Sequence, residues 1–387
     1  MLDKNSKVAI VLSDRKELDL VQATFVNQKF NKIIQFQTVD EAYESLSRQQ
    51  VDIIVVGMLL PDQPGVTLMQ RLKEVGNYGF EPFFFIGKAV DSASLKILLE
   101  YEVDYILTPP VDKKRLHEKL AYIIKRENNI PKDLQLYRDA RLALTGGILE
   151  MAKELANQLP CKEILGEKPY LLLGDIAMAE KDFDGAEAQY KMALTKNKES
   201  LTAFHKLADV HRSRGDLESA KNILDSLVEK NPLHLNVLKN AGLTNFDLGH
   251  LELAEKQMAN LKKMDKTNKT AGSVLTGVAI KQGRFDGAAQ NLLASHSEKE
   301  IVSTLNNAGI LMSKEKNYQG AIAIYQDCLS VVKKKEFKGK IHYNIAIAHK
   351  RLEDPSKALF HAKQAVKYLS DFEKAHALIK ELSNKTA

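Results

Sequence analysis

Apolar residues in the first 125 positions fall into short unbroken runs separated by amphipathic stretches, and the rhythm changes after that. The runs at 8–12 (VAIVL), 33–36, 52–56 (DIIVV), 83–86 and 105–107 are too short for helices and have the continuous apolar character of strands covered on both faces. Between and after them, 17–28, 39–48, 65–75, 92–101 and 113–125 carry apolar positions at helical spacing, as Leu18, Val21 and Phe25 do in the first. Five strands alternating with five helices predict an α/β domain with a doubly wound, five-stranded parallel sheet, whose functional edge is at the strand C-termini.

From 133 onward the pattern is all helical and periodic. Alanines recur at Ala152, Ala186, Ala220, Ala254, Ala288, Ala321 and Ala358, mostly 34 residues apart. Counting that alanine as position 20 places repeat starts near 133, 167, 201, 235, 269, 302 and 339. Position 8 is then small or nearly so throughout (Ala140, Gly174, Ala208, Gly242, Thr276, Gly309, Ala346). Position 17 is Leu149, Phe183, Leu217, Leu251, Phe285, Tyr318 and Pro355. Position 15 is Gly147, Gly215, Gly249 and Gly283 in four repeats, with Lys181, Lys316 and Glu353 in the others. Small residues at 8 and 20 let two antiparallel helices approach closely, and a glycine at 15 suits a left-handed turn between them. The expectation is an α-solenoid of about seven helical hairpins that has no single closed core. The domains expected are therefore 1–126, a polar linker at 127–132 that contains Pro131 and holds the parts semi-fixed, the array at 133–371, and a capping helix and tail at 372–387.

The segments DIIVVGMLLPDQPG, PFFFIGK and DYILTPPVD resemble the receiver domain of two-component response regulators, over residues 5–126. The resemblance implies a flavodoxin-like fold. Its pattern of functional residues is largely replaced. Where the family has two metal-holding acids, this chain has Ser13 and Asp14; Gly57 stands at the phospho-acceptor Asp, Gly87 at the hydroxyl and Pro109 at the Lys. With no nucleophile at 57 and one acid left, aspartyl phosphorylation is not expected, and the domain reads as a pseudo-receiver. The degenerate pocket comprises Ser13, Asp14, Gly57, Gly87, Lys88 and Pro109. Ile106 matches the family's switching aromatic, and Tyr105 beside it faces the other side of the sheet. A cis peptide is expected before Pro110. The face built from 92–125, with Lys96, Tyr101, Lys113, Lys114 and Arg115, is the one that receivers use for homodimerisation or a hetero-partner.

The repeat columns resemble the tetratricopeptide repeat family, whose first helices line a concave groove for protein partners. By that pattern the groove carries Tyr137, Arg141, His205, Arg212, Lys239, Phe246, Lys281, Asn306, Tyr343 and Lys350. The mixture fits a peptide or helix with acidic and apolar groups. The spacing of Asn240, Asn307 and Asn344 does not complete the carboxylate clamp of chaperone-tail-binding arrays.

Composition excludes more than it adds. The net charge of +6 is spread along the chain, Trp is absent and no basic recognition helix is present, so nucleic acid is not an expected partner. No apolar run is long enough to span a bilayer and no signal peptide precedes the first strand, so the cytoplasm, in the resemblance a bacterial one, is expected. Only Cys161 and Cys328 are present, which suits a reducing compartment. The ten histidines lack metal-ligand spacing, and hydrolase, metalloprotease and P-loop motifs are missing, so no metal, cofactor or catalytic residue is expected. The functional expectation is a non-catalytic signalling adaptor that holds partners through the groove and the receiver face. The alternative is a small-molecule or nucleotide sensor using the vacated receiver pocket, and a more remote one is a transcription-linked regulator.

Overall fold

The structure, a computed structural model, describes residues 2–76, 78–88, 92–103, 105–159 and 165–386. Cys161 lies outside them. Within the first 127 residues five strands and five helices alternate: β1 Lys7–Val11, α1 Arg15–Asn27, β2 Lys32–Phe36, α2 Val39–Leu46, β3 Ile53–Gly57, α3 Gly65–Glu74, β4 Phe83–Ile86, α4 Ser92–Glu100, β5 Tyr105–Leu107 and α5 Lys113–Glu127. The sheet is wholly parallel, in the order β2-β1-β3-β4-β5. Alternate strand residues feed two cores. Val8, Ile10, Ile53, Val55 and Phe84 pack against Leu18, Val21 and Phe25 of α1 and Leu116, Leu120 and Ile123 of α5. Ala9, Val11, Ile54, Val56 and Phe85 pack against α2, α3 and α4 through Ala42, Leu46, Met69, Leu72 and Ile97. Tyr105 joins the first core and Ile106 the second, on opposite faces as expected. The Pro109-Pro110 bond is cis.

The helical region begins at α6 Lys132–Thr145 and continues as α7 Leu149–Asn157, α8 Lys168–Ala179, α9 Phe183–Lys196, α10 Leu201–Arg214, α11 Leu217–Lys230, α12 Leu235–Asp247, α13 Leu251–Met264, α14 Lys269–Lys281, α15 Glu298–Lys314, α16 Tyr318–Val331, α17 Lys335–Arg351, α18 Pro355–Tyr368 and α19 Glu373–Thr386. The chain forms two compact units, one up to Thr244 and one from Asn245. The first contains the α/β domain, the first three hairpins and α12 as far as Thr244; the second contains the rest of the array.

The repeat columns have physical causes in these helices. All seven beat alanines are buried. Position 15 is left-handed in every repeat: Gly147, Gly215, Gly249 and Gly283 have φ of 75°, 82°, 82° and 71°, and the non-glycine Lys181, Lys316 and Glu353 have φ of 63°, 63° and 58°. Position 16 then caps the second helix. Asp182, Asp216, Asn317 and Asp354 accept from the backbone N–H groups of Gly185, Ser219, Gly320 and Lys357. Position 8 is glycine where the second helix brings a tyrosine against it. A Cβ on Gly174 would lie 2.3 Å from the Tyr190 ring, and one on Gly309 would lie 2.4 Å from that of Tyr325.

The fifth hairpin departs from the expected pattern, because its second half contains only a one-turn 3₁₀ segment at Ala289–Asn291. Gly287 takes φ 82°, and the Asp327 carboxylate accepts from Gly287 N (2.9 Å) and Ala289 N (2.7 Å) in place of helical partners. Ala288 and Leu292 remain buried, so the apolar column persists without the helix. Cys328 is buried in this unit, and burial pushes its thiol up to about 12.

Candidate functional site

The C-terminal edge of the sheet is where a receiver's chemistry would sit, and apolar side chains border it here. A side chain at Gly57 would begin 3.4 Å from both Leu12 Cδ2 and Leu60 Cδ2, methyls that are themselves buried. Gly65 must lack a Cβ, since one would lie 2.0 Å from the Gly57 carbonyl oxygen. At Gly87 (φ 139°) a Cβ would lie 3.2 Å from Met58 Cβ. Asp14 is the N-cap of α1, its carboxylate accepting from Glu17 N at 2.9 Å. Ser13, Lys88 and Pro109 are exposed. Among the described residues, no group of three or more histidine, cysteine or acidic side chains is placed to hold a metal.

A second arrangement dominates the first unit. The α3–α4 side of the α/β domain lies against the first helices of the array. Gln70 on α3 is buried, donates to Leu233 O (3.1 Å) and accepts from Leu235 N (2.9 Å), so it supplies a partner to the first N–H of α12. Leu233 itself packs into the core beneath α3 and α4. Glu74 pairs with Lys239, Glu102 with Lys168 (2.7 Å) and Glu127 with Arg138 (3.0 Å). Glu100 accepts from Thr202 Oγ1 at 3.1 Å and stands 3.1 Å from His234 Nε2. Lys96 donates to the Lys230 carbonyl at 3.0 Å. Phe80 meets Tyr137 edge to face, with ring centroids 6.4 Å apart. The linker is pinned as well, because Asn128 exchanges two hydrogen bonds with the Leu2 backbone.

Burial shifts the ionisable groups of this seam. His205 falls to about 3 because of desolvation, reinforced by His234 with its ring centroid 5.6 Å away. Asn240 bridges His205 Nε2 (3.0 Å) and Asp209 Oδ1 (2.7 Å). The Lys73 amine is lowered to about 8 by desolvation, against the opposing pull of Glu81 and Glu102.

These contacts place the expected groove residues in two different settings. Tyr137 and Lys239 meet the chain's own α/β domain in place of a free surface, and His205 lies behind His234 and against Asn240 within the array. Arg141 pairs with Asp175 at 2.6 Å, and Arg212 is half-buried on α10. In the second unit Lys281 lies 4.3 Å over the Phe246 ring, which occupies the space that the missing Cβ of Gly277 leaves. Asn306 accepts from Asn344, Tyr343 packs against Phe372 and Lys350 pairs with Glu381 at 2.6 Å. On the α/β face, Lys96 and Tyr101 belong to the seam, while Lys113 and Lys114 are exposed. The sequence reading missed Gln70, Glu74, Glu100 and Glu102. The available signal was charge: the cations of the array's first helices asked for an acidic surface, and one was present earlier in the same chain.

A family model for the response regulator receiver domain matches residues 8–121, and one for the tetratricopeptide repeat matches 177–239. The BBSome complex member BBS4 of Bos taurus is 26% identical over 265 residues, 64% of this chain and 50% of that protein. The regulatory protein VanR of Enterococcus faecium is 24% identical over 105 residues, 27% of this chain and 44% of that protein. The matched stretches thus span half or less of these relatives. A crystal structure of a tetratricopeptide repeat protein from Parabacteroides merdae is similar at 16% identity and a TM-score of 0.40, covering 65% of this chain and 98% of that one.

Proposed function

We propose that this chain, a response regulator receiver domain joined to tetratricopeptide repeats, is a non-catalytic cytoplasmic signalling adaptor whose receiver is not switched by aspartyl phosphorylation. The observation that carries the reading is the engagement of the receiver's α3–α4 side with the array's own first helices through Gln70, Glu74, Glu100 and Glu102. A phosphorylation switch needs an acceptor, a metal site and a mobile output face. Here the acceptor position is Gly57 beside Leu12 and Leu60, the remaining acid caps α1, and the α4 part of the output face, with Lys96 and Tyr101, is packed against the array. The receiver then acts as a fixed docking wall that braces the first helices of the first four repeats. Partner recognition falls to the later first helices, where Phe246, Lys281, Asn306, Tyr343 and Lys350 are the residues assigned to it. Their mixture of amide, cation and aromatic groups suits a peptide or helix with acidic and apolar side chains.

The test has two arms. Beryllofluoride with Mg²⁺ is expected to leave the amide spectrum and unfolding midpoint of the full chain unchanged; a Mg²⁺-dependent shift around residue 57 would overturn the pseudo-receiver reading. Charge reversal at Lys281 and Lys350 is expected to abolish capture of partners from a lysate. Retention of every captured partner would overturn the groove assignment.

A further inference from the structure

A cavity of about 910 Å³ runs along the seam in the first unit, between the receiver and helices α6, α8 and α12. Its size falls within the range of small-molecule sites. The walls mix charged side chains with aromatic and apolar ones, Phe80, Phe83, Tyr101, Tyr137 and Leu142 among the latter. Most of the charge around it is already paired internally: Arg138 with Glu127, Arg141 with Asp175 and Lys168 with Glu102. These pairs add dipoles but little net attraction for a ligand.

Two lining groups are different. Lys73 has no acidic partner within ion-pair distance among the described residues; its ammonium donates to the Gly79 carbonyl at 2.7 Å, and the other N–H directions remain. The nearby Glu81 carboxylate is already taken, accepting from Gly79 N and Gln50 Nε2, both at 2.7 Å. Tyr137 is 93% buried, being only 7% exposed, and its hydroxyl makes no hydrogen bond with any described residue. One amine on the receiver and one hydroxyl on the array, both lining the cavity, form an incomplete polar set.

We propose that this seam cavity binds a small molecule with one anionic group and an aromatic or aliphatic body, the anion held by Lys73 on the receiver and a second polar atom by Tyr137 on the array. Such a ligand supplies the charge that Lys73 lacks and the acceptor that the Tyr137 hydroxyl lacks. Because it touches both walls, it favours the closed seam by mass action. The site is separate from the degenerate phosphorylation pocket and does not depend on how the receiver is switched.

The experiment uses the full chain titrated with benzoate, phenyl phosphate and the neutral benzyl alcohol, followed by ligand-observed NMR and by melting temperature. At least one anion is expected to bind ten-fold or more tightly than benzyl alcohol, and the benzoate and phenyl phosphate arms decide between carboxylate and phosphate. Lys73→Met is expected to weaken that anion at least ten-fold. Tyr137→Phe keeps the ring packing and is expected to weaken it several-fold; it decides the matter should Lys73→Met not fold. Equal binding of anions and alcohol, no binding at millimolar concentration, or undiminished binding by both variants overturns the site.

Discussion

Replacing Gln70 with methionine tests whether the receiver and the array are held together by geometry or by charge. Gln70 is 2% exposed, and its amide is the partner of two backbone groups in the segment entering α12, Leu233 O at 3.1 Å and Leu235 N at 2.9 Å. Methionine nearly preserves the volume and removes both bonds. Each backbone group left buried and unpaired costs about 1–3 kcal/mol, so the variant should lose about 2–4 kcal/mol, with some offset from the apolar replacement. The comparison is Glu74→Gln, which breaks the Glu74–Lys239 pair. Those side chains are 31% and 24% exposed, so solvent screening limits the loss to about 1 kcal/mol. The assay is denaturant unfolding of the full chain together with hydrogen exchange at the Leu235 amide, because a repeat array need not unfold as one unit. Faster exchange at Leu235 in Gln70→Met, and a larger loss than in Glu74→Gln, are expected. A change below about 0.5 kcal/mol with unaltered exchange at Leu235, or a larger loss in Glu74→Gln, would refute the reasoning.

The repeat turns give a paired prediction: Gly215→Ala, at φ 82°, should lose about 1–2 kcal/mol by denaturation, whereas Lys316→Gly, at φ 63°, should gain up to about 1 kcal/mol. Gly174→Ala places a Cβ 2.3 Å from the Tyr190 ring, and overpacking should lower stability by about 1–3 kcal/mol; the double variant with Tyr190→Leu should recover much of it in the same assay. Acid should loosen the α17–α18 hairpin. His342 Nδ1 and His361 Nδ1 are 3.0 Å apart, burial lowers both rings, and His361 reaches about 4, with His342 and His349 adding to its shift. A depressed folded-state value means that stability is complete above the ordinary imidazole range near pH 6.5 and is lost as pH falls toward 4, which hydrogen exchange of α18 against pH can follow. Lys338, Lys357 and Asp354 face this cluster, and unchanged α18 protection from pH 7 to 4.5 would contradict it.

Most of the fold was legible because it rests on local, repeated constraints. Strand length, apolar alternation and the spacing of Ala152 through Ala358 each report on a neighbour a few residues or one turn away. The fifth hairpin was not legible, since its column of Ala288 and Leu292 is normal; the irregularity comes from Gly287 and from an Asp327 carboxylate forty residues on. Position 8 was readable as small, but why it is glycine in particular repeats needed Tyr190 and Tyr325 in place. At the receiver edge the missing acids could be read directly, whereas Leu12, Leu60 and Met58 bordering the site could not.

The groove shows where residue-by-residue reading stops. The repeat pattern makes Tyr137, Arg141, His205 and Lys239 partner-facing because first-helix residues of such an array point to the concave side, and that local rule is indifferent to what stands opposite. Within the chain, Glu74 meets Lys239 and Phe80 meets Tyr137, Glu100 and Glu102 meet the neighbouring His234 and Lys168, and Arg141 pairs with Asp175 of the array. A covalently attached partner has a high effective concentration, so modest pairs suffice where a free peptide would need far stronger contacts. An outside ligand for those first repeats must therefore either displace the receiver or fit beside it. The Lys73 amine, which makes no ion pair among the described residues, and the Tyr137 hydroxyl line the cavity where the second route would run.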